Sequence, residues 1–251
     1  MGSDDRSTAA SLRVAFDLDG VLADMETALL GHAEQLFGKG VSAPDAPEEA
    51  ATESPGDPPA DVLENAPASL KLKITSRQQR RLWKHVESIE DFWESLNEIE
   101  PGAIARLAAL ASERRWEVIF LTKRPQGAGR TAQVQTQRWL AAKGFPLPSV
   151  YVVQGSRGRI AASLDLDIVV DDRHENCLDV IVDSKARAIL VWRGDEKKLP
   201  VAARRLGIGV VASVNECFDI LTQIDGHSRR DQPGVFDRLL RRLGLKEPAR
   251  V

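Results

Sequence analysis

Arg13-Val-Ala-Phe-Asp-Leu-Asp-Gly-Val-Leu-Ala-Asp24 is the stretch that decides the fold. Val14, Ala15 and Phe16 form an apolar run that predicts a buried strand. The run stops at Asp17, Leu18, Asp19 and Gly20. A strand has period two, so Asp17 and Asp19 are expected on the same side at its carboxyl end. Two carboxylates held together repel unless a cation or a shared proton lies between them. Gly20 permits a tight turn directly afterwards. In an open parallel α/β sheet, ligands bind at the carboxyl ends of the strands. The stretch is therefore read as the edge of a site and not as a surface turn.

Beyond Pro101, strand and helix alternate. A helix runs from Pro101-Gly102 to about Arg115, with the proline at or near its first turn. A strand follows at 116–121 and closes at Thr122. Then come a helix at 130–142, a strand at 149–153, a short helix at 156–163 and a strand at 167–170. A helix at 174–184, a strand at 187–192, a helix at 196–206, a strand at 208–211 and a helix at 213–224 continue the pattern. This predicts an α/β, Rossmann-like, three-layer fold: a parallel sheet with right-handed crossovers and helices on both faces. The core is assigned to 11–22 and 101–225.

Residues 23–100 read as a helical insertion after the first strand. One helix spans 23–37 and ends at Gly38-Lys39-Gly40; another covers 76–97. Between them, 41–67 is rich in proline and acidic residues and contains no Lys or Arg. Such a segment buries too little apolar surface to offset its ordering entropy, so it is expected to be a mobile loop. Residues 226–251 form a basic tail, with Val235, Phe236, Leu239, Leu240 and Leu243 marking a short amphipathic helix. A helix docked on its own domain is the plain reading; a protein partner for the acidic loop or the basic tail is the alternative.

Composition narrows the function classes. The chain has 251 residues, 43% of them hydrophobic and 28% charged, which suits one large domain or a core with a small insertion. A net charge of −3 gives no global field that would favour nucleic acid. Cys177 and Cys217 lie far apart and make neither a metal spacing nor a disulfide framework, as expected in a reducing compartment. No apolar stretch is long enough to span a bilayer, and the first residues lack a signal-peptide apolar region. A cytoplasmic location is the expectation.

Four features fall at or near successive strand ends: Asp17 with Asp19, Thr122, the pair Arg157 and Arg159, and Asp171 with Asp172. Each alone is a weak signal. Together they supply the parts of phosphoryl transfer. A phosphate ester and an attacking carboxylate are both anionic, and a divalent cation on oxygen ligands neutralises both. Asp17 and Asp171 are the expected side-chain ligands of Mg²⁺. Thr122 offers a hydrogen bond to a non-bridging oxygen, and Arg157 or Arg159 offers a fixed cation for the transferring group. His174, just after the Asp pair, is read as a helix-start or packing residue.

These motifs resemble those of the haloacid dehalogenase (HAD) superfamily of aspartate-based phosphohydrolases. Phe16-Asp-Leu-Asp-Gly-Val-Leu-Ala-Asp24 is most similar to the 5′(3′)-deoxyribonucleotidases and their bacterial relatives. Phe92-Trp93 before Pro101-Gly-Ala, Leu121-Thr-Lys-Arg-Pro125 and Val170-Asp-Asp-Arg-His-Glu-Asn176 add to the likeness, which covers about 12–192. The resemblance implies that Asp17 is the nucleophile and forms an aspartyl-phosphate. It implies that Asp19 is the general acid and base, its carbonyl also binding Mg²⁺. Asp171 then completes the metal site, Asp172 supports it or a water ligand, and Thr122, with Lys123 beside it, holds the phosphate. The insertion would be a small cap that selects the substrate, a nucleoside monophosphate before other small phosphate esters or nucleic-acid ends.

One departure stands out. The third motif of the family usually carries Lys; here Arg159 is the preferred candidate and Arg157 the alternative. If neither reaches the site, the fold could bind phosphate and turn over poorly, as a binding or regulatory protein would. In the cap, Trp83, Phe92 and Trp93 are candidates for stacking on a base, or for the cap's own core. Arg80, Arg81, Lys84 and His85 form a basic run that could meet an anionic substrate.

Overall fold

A computed structural model of the chain describes residues 11–39 and 74–228. Its strands are β1 (Arg13–Asp17), β2 (Glu117–Thr122), β3 (Ser149–Val152), β4 (Ile168–Asp171), β5 (Arg187–Val191) and β6 (Gly209–Val211). They form one parallel sheet in the order β3-β2-β1-β4-β5-β6. The helices are α1 (Met25–Phe37), α2 (Ser76–Ser88), α3 (Ala103–Arg114), α4 (Ala132–Ala142), α5 (Arg157–Ser163), α6 (His174–Asp183), α7 (Val201–Arg205) and α8 (Val214–Ser228).

The period of two in β1 sorts its side chains between two helical layers. Val14 and Phe16 pack with Leu29, Leu82, Ile104, Leu140 and Phe218 from α1, α2, α3, α4 and α8. Ala15 packs on the other face with Ala161, Val180 and Ala203 from α5, α6 and α7. Both faces of β1 are covered, which is why its apolar run is continuous. The three-layer parallel architecture expected from the alternation is the one observed.

The insertion after β1 leaves and rejoins the core at one place. Ala23 forms an antiparallel bridge with Glu98, Asp24 N–H donates to Asn97 O at 2.9 Å, and Ile99 N–H donates to Leu22 O at 2.9 Å. Asp24 caps α1 by accepting from Thr27 N–H at 3.0 Å, and Thr75 with Gln78 makes a capping box on α2.

Two expected elements differ. The helix over 76–97 stops at Ser88, and a 3₁₀ turn, Phe92–Glu94, follows. Asp91 between them is left-handed at φ 51°. The 123–130 loop holds it there: Asp91 N–H donates to Ala128 O, and its carboxylate accepts from Arg130 N–H at 2.7 Å. The helix over 196–206 is divided into a 3₁₀ turn at Glu196–Lys198 and α7, because Pro200 has no N–H to continue the ladder. Pro101 lies before the first turn of α3, whose N-cap is Gly102 at φ 83°. The acidic 41–67 segment and the tail beyond Ser228 lie outside the described residues; helix α8 runs to Ser228, past the expected end of the core at 225. No described helix is long and apolar enough to cross a membrane.

Candidate active site

β1 lies between β2 and β4, and the chain order reverses direction across it. That is a topological switch point, where the strand ends open a crevice. Asp17, Thr122 and Asp171 close these three adjacent strands. Arg157, the first residue of α5, joins them from the next crossover. Its Nη2 donates to Asp17 Oδ1 at 2.6 Å, and its Nε lies 3.6 Å from Asp171 Oδ2. The side chain is buried.

Local sequence explains how α5 delivers this arginine. Ser156 caps the helix by accepting from Arg159 N–H at 3.4 Å, which fixes where the helix begins. Gly158 lets α5 lie directly against α6: a Cβ there would stand 2.7 Å from the carbonyl carbon of Asp179. Asp171 is held in turn. Its Oδ1 accepts from Arg173 N–H at 2.9 Å, and Asn176 Nδ2 lies 3.0 Å from each carboxylate oxygen.

Asp19 has a separate set of partners. Arg124 Nε donates to its Oδ2 at 2.9 Å and Arg124 Nη2 to its Oδ1 at 2.7 Å. Thr122 Oγ1 donates to Asp19 Oδ2 at 3.2 Å. Arg193, after β5, donates to the carbonyls of Gly20 and Val21 and pairs with Glu100 at 2.9 Å, which ties the turn after β1 to the core.

The carboxylates strain one another. Burial, then the charge of Asp171, pushes the Asp17 carboxyl well above the usual range, and Arg157 opposes that rise. Burial raises Asp171 as well, again opposed by Arg157. Burial and the charge of Asp171 push Asp172 up to about 8.

No family model matches the chain, and neither does any curated protein. Solved structures do. A HAD family hydrolase from Deinococcus radiodurans R1, determined with bound phosphate and sodium, matches with a TM-score of 0.52 at 16% identity. The match covers 87% of this chain and 97% of that one. A haloacid dehalogenase-like family hydrolase from Xanthomonas campestris matches at TM-score 0.45 and 15% identity, over 88% of this chain and 99% of that one. The chain has a HAD-like fold.

Within the HAD fold, the structure brings some expected site residues together and separates others. Asp17, Asp171, Asp172 and Arg157 are neighbours. Arg159 is not among them. Its side chain is 84% exposed, and its closest charged partner is Asp183 at 4.0 Å. The preference for Arg159 over Arg157 is therefore corrected. Two residues apart on a helix is a turn of roughly 200°, so only one of the two can face the sheet. The side chains of Asp17 and Asp19 have different arginine partners, Arg157 and Arg124. The period of two ends with the strand, and Asp19 already lies in the turn. Lys123 is half-buried at the end of β2.

Of the two readings open for the cap aromatics, the core is the one observed for Phe92 and Trp93. Phe92 and Trp93 are each 3% exposed and belong to the hydrophobic core, and Trp93 Nε1 donates to Pro125 O at 3.3 Å. Trp83 is partly buried against that core. The Phe92 and Trp93 rings pack inward and are not presented to a base. Of the basic run, Arg81 lies over the Phe37 ring and His85 meets His32 at 3.3 Å between α1 and α2. His174 opens α6 as read from the sequence.

Sequence reasoning missed Arg124, Asn176 and Arg193 as site residues. Arg124 and Asn176 stood inside the quoted motifs, two residues after Thr122 and five after Asp171. Arg193 carries no local signal, since its partners are 173 and 172 residues away.

The donor set can be tested against a cation. Asp17, Asp171 and Asp172 offer hard oxygen donors, and their mutual repulsion, seen in the raised carboxyls, is what a divalent cation relieves. The chemistry fits Mg²⁺. Among the described residues, no three His, Cys, Asp or Glu side chains already converge as ligands.

The raised Asp172 carboxyl gives a stability prediction. In the folded state it keeps a proton up to about pH 8, whereas the unfolded group releases it near 3.8. Its contribution to metal-free stability is thus fully present below the lower value and is lost as pH rises through about 8. The melting temperature of Asp172→Asn minus that of wild type is expected to grow from pH 4 to pH 8. A difference that stays constant across that range would contradict the assignment. Mg²⁺ should raise the wild-type melting temperature most at the high end.

Proposed function

We propose that this chain hydrolyses phosphomonoesters through a covalent phosphate on Asp17. The observation that carries the reading is the buried Arg157–Asp17 contact at the switch point of the sheet. Arg157 holds Oδ1 of Asp17 and leaves Oδ2 to attack phosphorus. The ester P–O bond breaks, and the departing oxygen takes the proton of Asp19, which enters the step as the carboxylic acid and leaves it as the carboxylate. The phosphoryl group then sits on Asp17 as an acyl phosphate. Water attacks the phosphorus, gives its proton to Asp19 and releases inorganic phosphate, which returns Asp17 to the carboxylate and Asp19 to the acid. Arg157 holds the charge on the transferring group, and the Thr122 hydroxyl is the neutral donor on the other side. Asp17 and Asp171, with the Asp19 carbonyl, would hold Mg²⁺ and Asp172 would support it. Bound there, Mg²⁺ would offset the negative charge that the ester and Asp17 bring together.

Nucleoside monophosphates head the substrate panel because the first motif resembles the deoxyribonucleotidases. The burial of Phe92 and Trp93 removes base stacking on these rings as a ground for that choice. Sugar phosphates, phosphoglycolate and nucleic-acid ends therefore stand in the same panel. The test is phosphate release from these esters and from an aryl phosphate, with Mg²⁺ and with chelator. Release that requires the metal and returns on its re-addition is expected. A folded, Mg²⁺-loaded chain that releases nothing from any ester contradicts the reading and favours a phosphate-binding protein.

Arg159→Ala is expected to keep this turnover. Its exposed side chain predicts a stability change within about 0.5 kcal/mol. Steady-state rates and a melting curve check both; a large loss of rate would return Arg159 to the site.

A further inference from the structure

Arg124 is an unusual arginine. It is 1% exposed, yet it lies in the loop that follows β2. Burying a guanidinium is costly, and a buried ion pair is seldom a net gain over apolar packing. Its surroundings are built to hold its plane. The guanidinium stands 4.9 Å from the Trp93 ring centre and 5.9 Å from that of Trp139. Nη1 donates to Thr136 Oγ1 at 2.9 Å, and that hydroxyl donates to Ala132 O at 2.7 Å. The remaining edge meets both oxygens of Asp19. A planar fork on a carboxylate fixes its rotation as well as its position.

We infer that Arg124 is the positioning residue for Asp19, held in place by a cage to which the inserted segment contributes Trp93. Trp93 comes from the end of the insertion, and its backbone N–H donates to Gln135 Oε1 at 2.9 Å. It is one wall of the cage around Arg124. Trp93, one of the candidates for base stacking or cap core, thus serves the acid and base of the reaction. This inference rests on the proposed role of Asp19.

The test compares kcat/KM for two esters in the full chain: 4-nitrophenyl phosphate and an alkyl phosphate. Nitrophenolate departs without a proton, whereas an alkoxide needs one. Wild type, Asp19→Asn, Arg124→Met and the double variant are measured. General acid catalysis is worth roughly 10²-fold or more, so Arg124→Met and Asp19→Asn should each lower the alkyl value by about that factor. Each should lower the aryl value by less than about 10-fold, and the double variant should be no worse than Asp19→Asn alone. Equal losses on both esters, or losses that multiply in the double variant, would overturn the inference. If Arg124→Met does not fold, Arg124→Lys carries the same readout, since it keeps the charge and loses the fork; it must show the same alkyl-selective loss. A wild type without turnover, or an Asp19→Asn without the ester-selective loss, overturns the acid–base reading itself and this inference with it.

Discussion

Asp17→Asn is expected to stop phosphate release by about 10⁴-fold or more while leaving the fold intact. An amide oxygen is a poor nucleophile and cannot form the acyl phosphate. The geometry around it survives, because an amide oxygen still accepts from Arg157 Nη2 where Oδ1 does now, at 2.6 Å. Stability should not fall. Burial and the charges of Asp171, Asp172 and Asp19 all oppose ionisation of Asp17. A neutral side chain relieves that repulsion, so the metal-free variant should melt no lower than wild type at neutral pH. Phosphate assays with matched melting curves check both halves. An Asp17→Asn that keeps most of the wild-type rate would remove Asp17 as the nucleophile.

Arg157→Ala is expected to fail in both respects. The arginine faces two buried carboxylates, Asp17 at 2.6 Å and Asp171 at 3.6 Å. Removing one partner of a buried ion pair costs roughly 3–5 kcal/mol, because the other charge stays buried and uncompensated. The carboxylates can escape by taking up protons, and both are already pushed in that direction. The destabilisation should therefore be larger at pH 8 than at pH 5. Turnover should fall by about 10²–10³-fold, the usual loss when a fixed donor to a developing charge is removed. Arg157→Lys keeps one positive charge but lacks the fork, so it should lie between wild type and alanine in both rate and melting temperature. Urea or thermal unfolding at the two pH values, beside steady-state rates, measures this. An alanine variant as stable and as active as wild type would make Arg157 a bystander.

The fold was largely legible because its signals are local. Val14 to Phe16 are apolar, Asp17 to Gly20 end the run, and the later strands repeat that pattern between amphipathic helices. The site was legible wherever a residue closes a strand, as Asp17, Thr122 and Asp171 do. It was not legible where helical phase or tertiary packing decides. Arg157 and Arg159 look alike in sequence; the cap at Ser156 and the contact of Gly158 with α6 choose between them. Phe92 and Trp93 read equally well as core or as a binding surface until the path of the 123–130 loop over them is known. Arg124 needed Trp93, Trp139 and Thr136 to be in place before its bond to Asp19 had meaning.

The central claim is that Asp17 carries the phosphate. The most direct measurement is to quench the reaction in acid during turnover of a ³²P-labelled ester and to map any label on the protein. The account predicts label that is released by hydroxylamine, as an acyl phosphate is, that maps to the peptide containing Asp17, and that is absent from Asp17→Asn. Turnover at full rate with no labelled protein, or with the label on another residue, would contradict it.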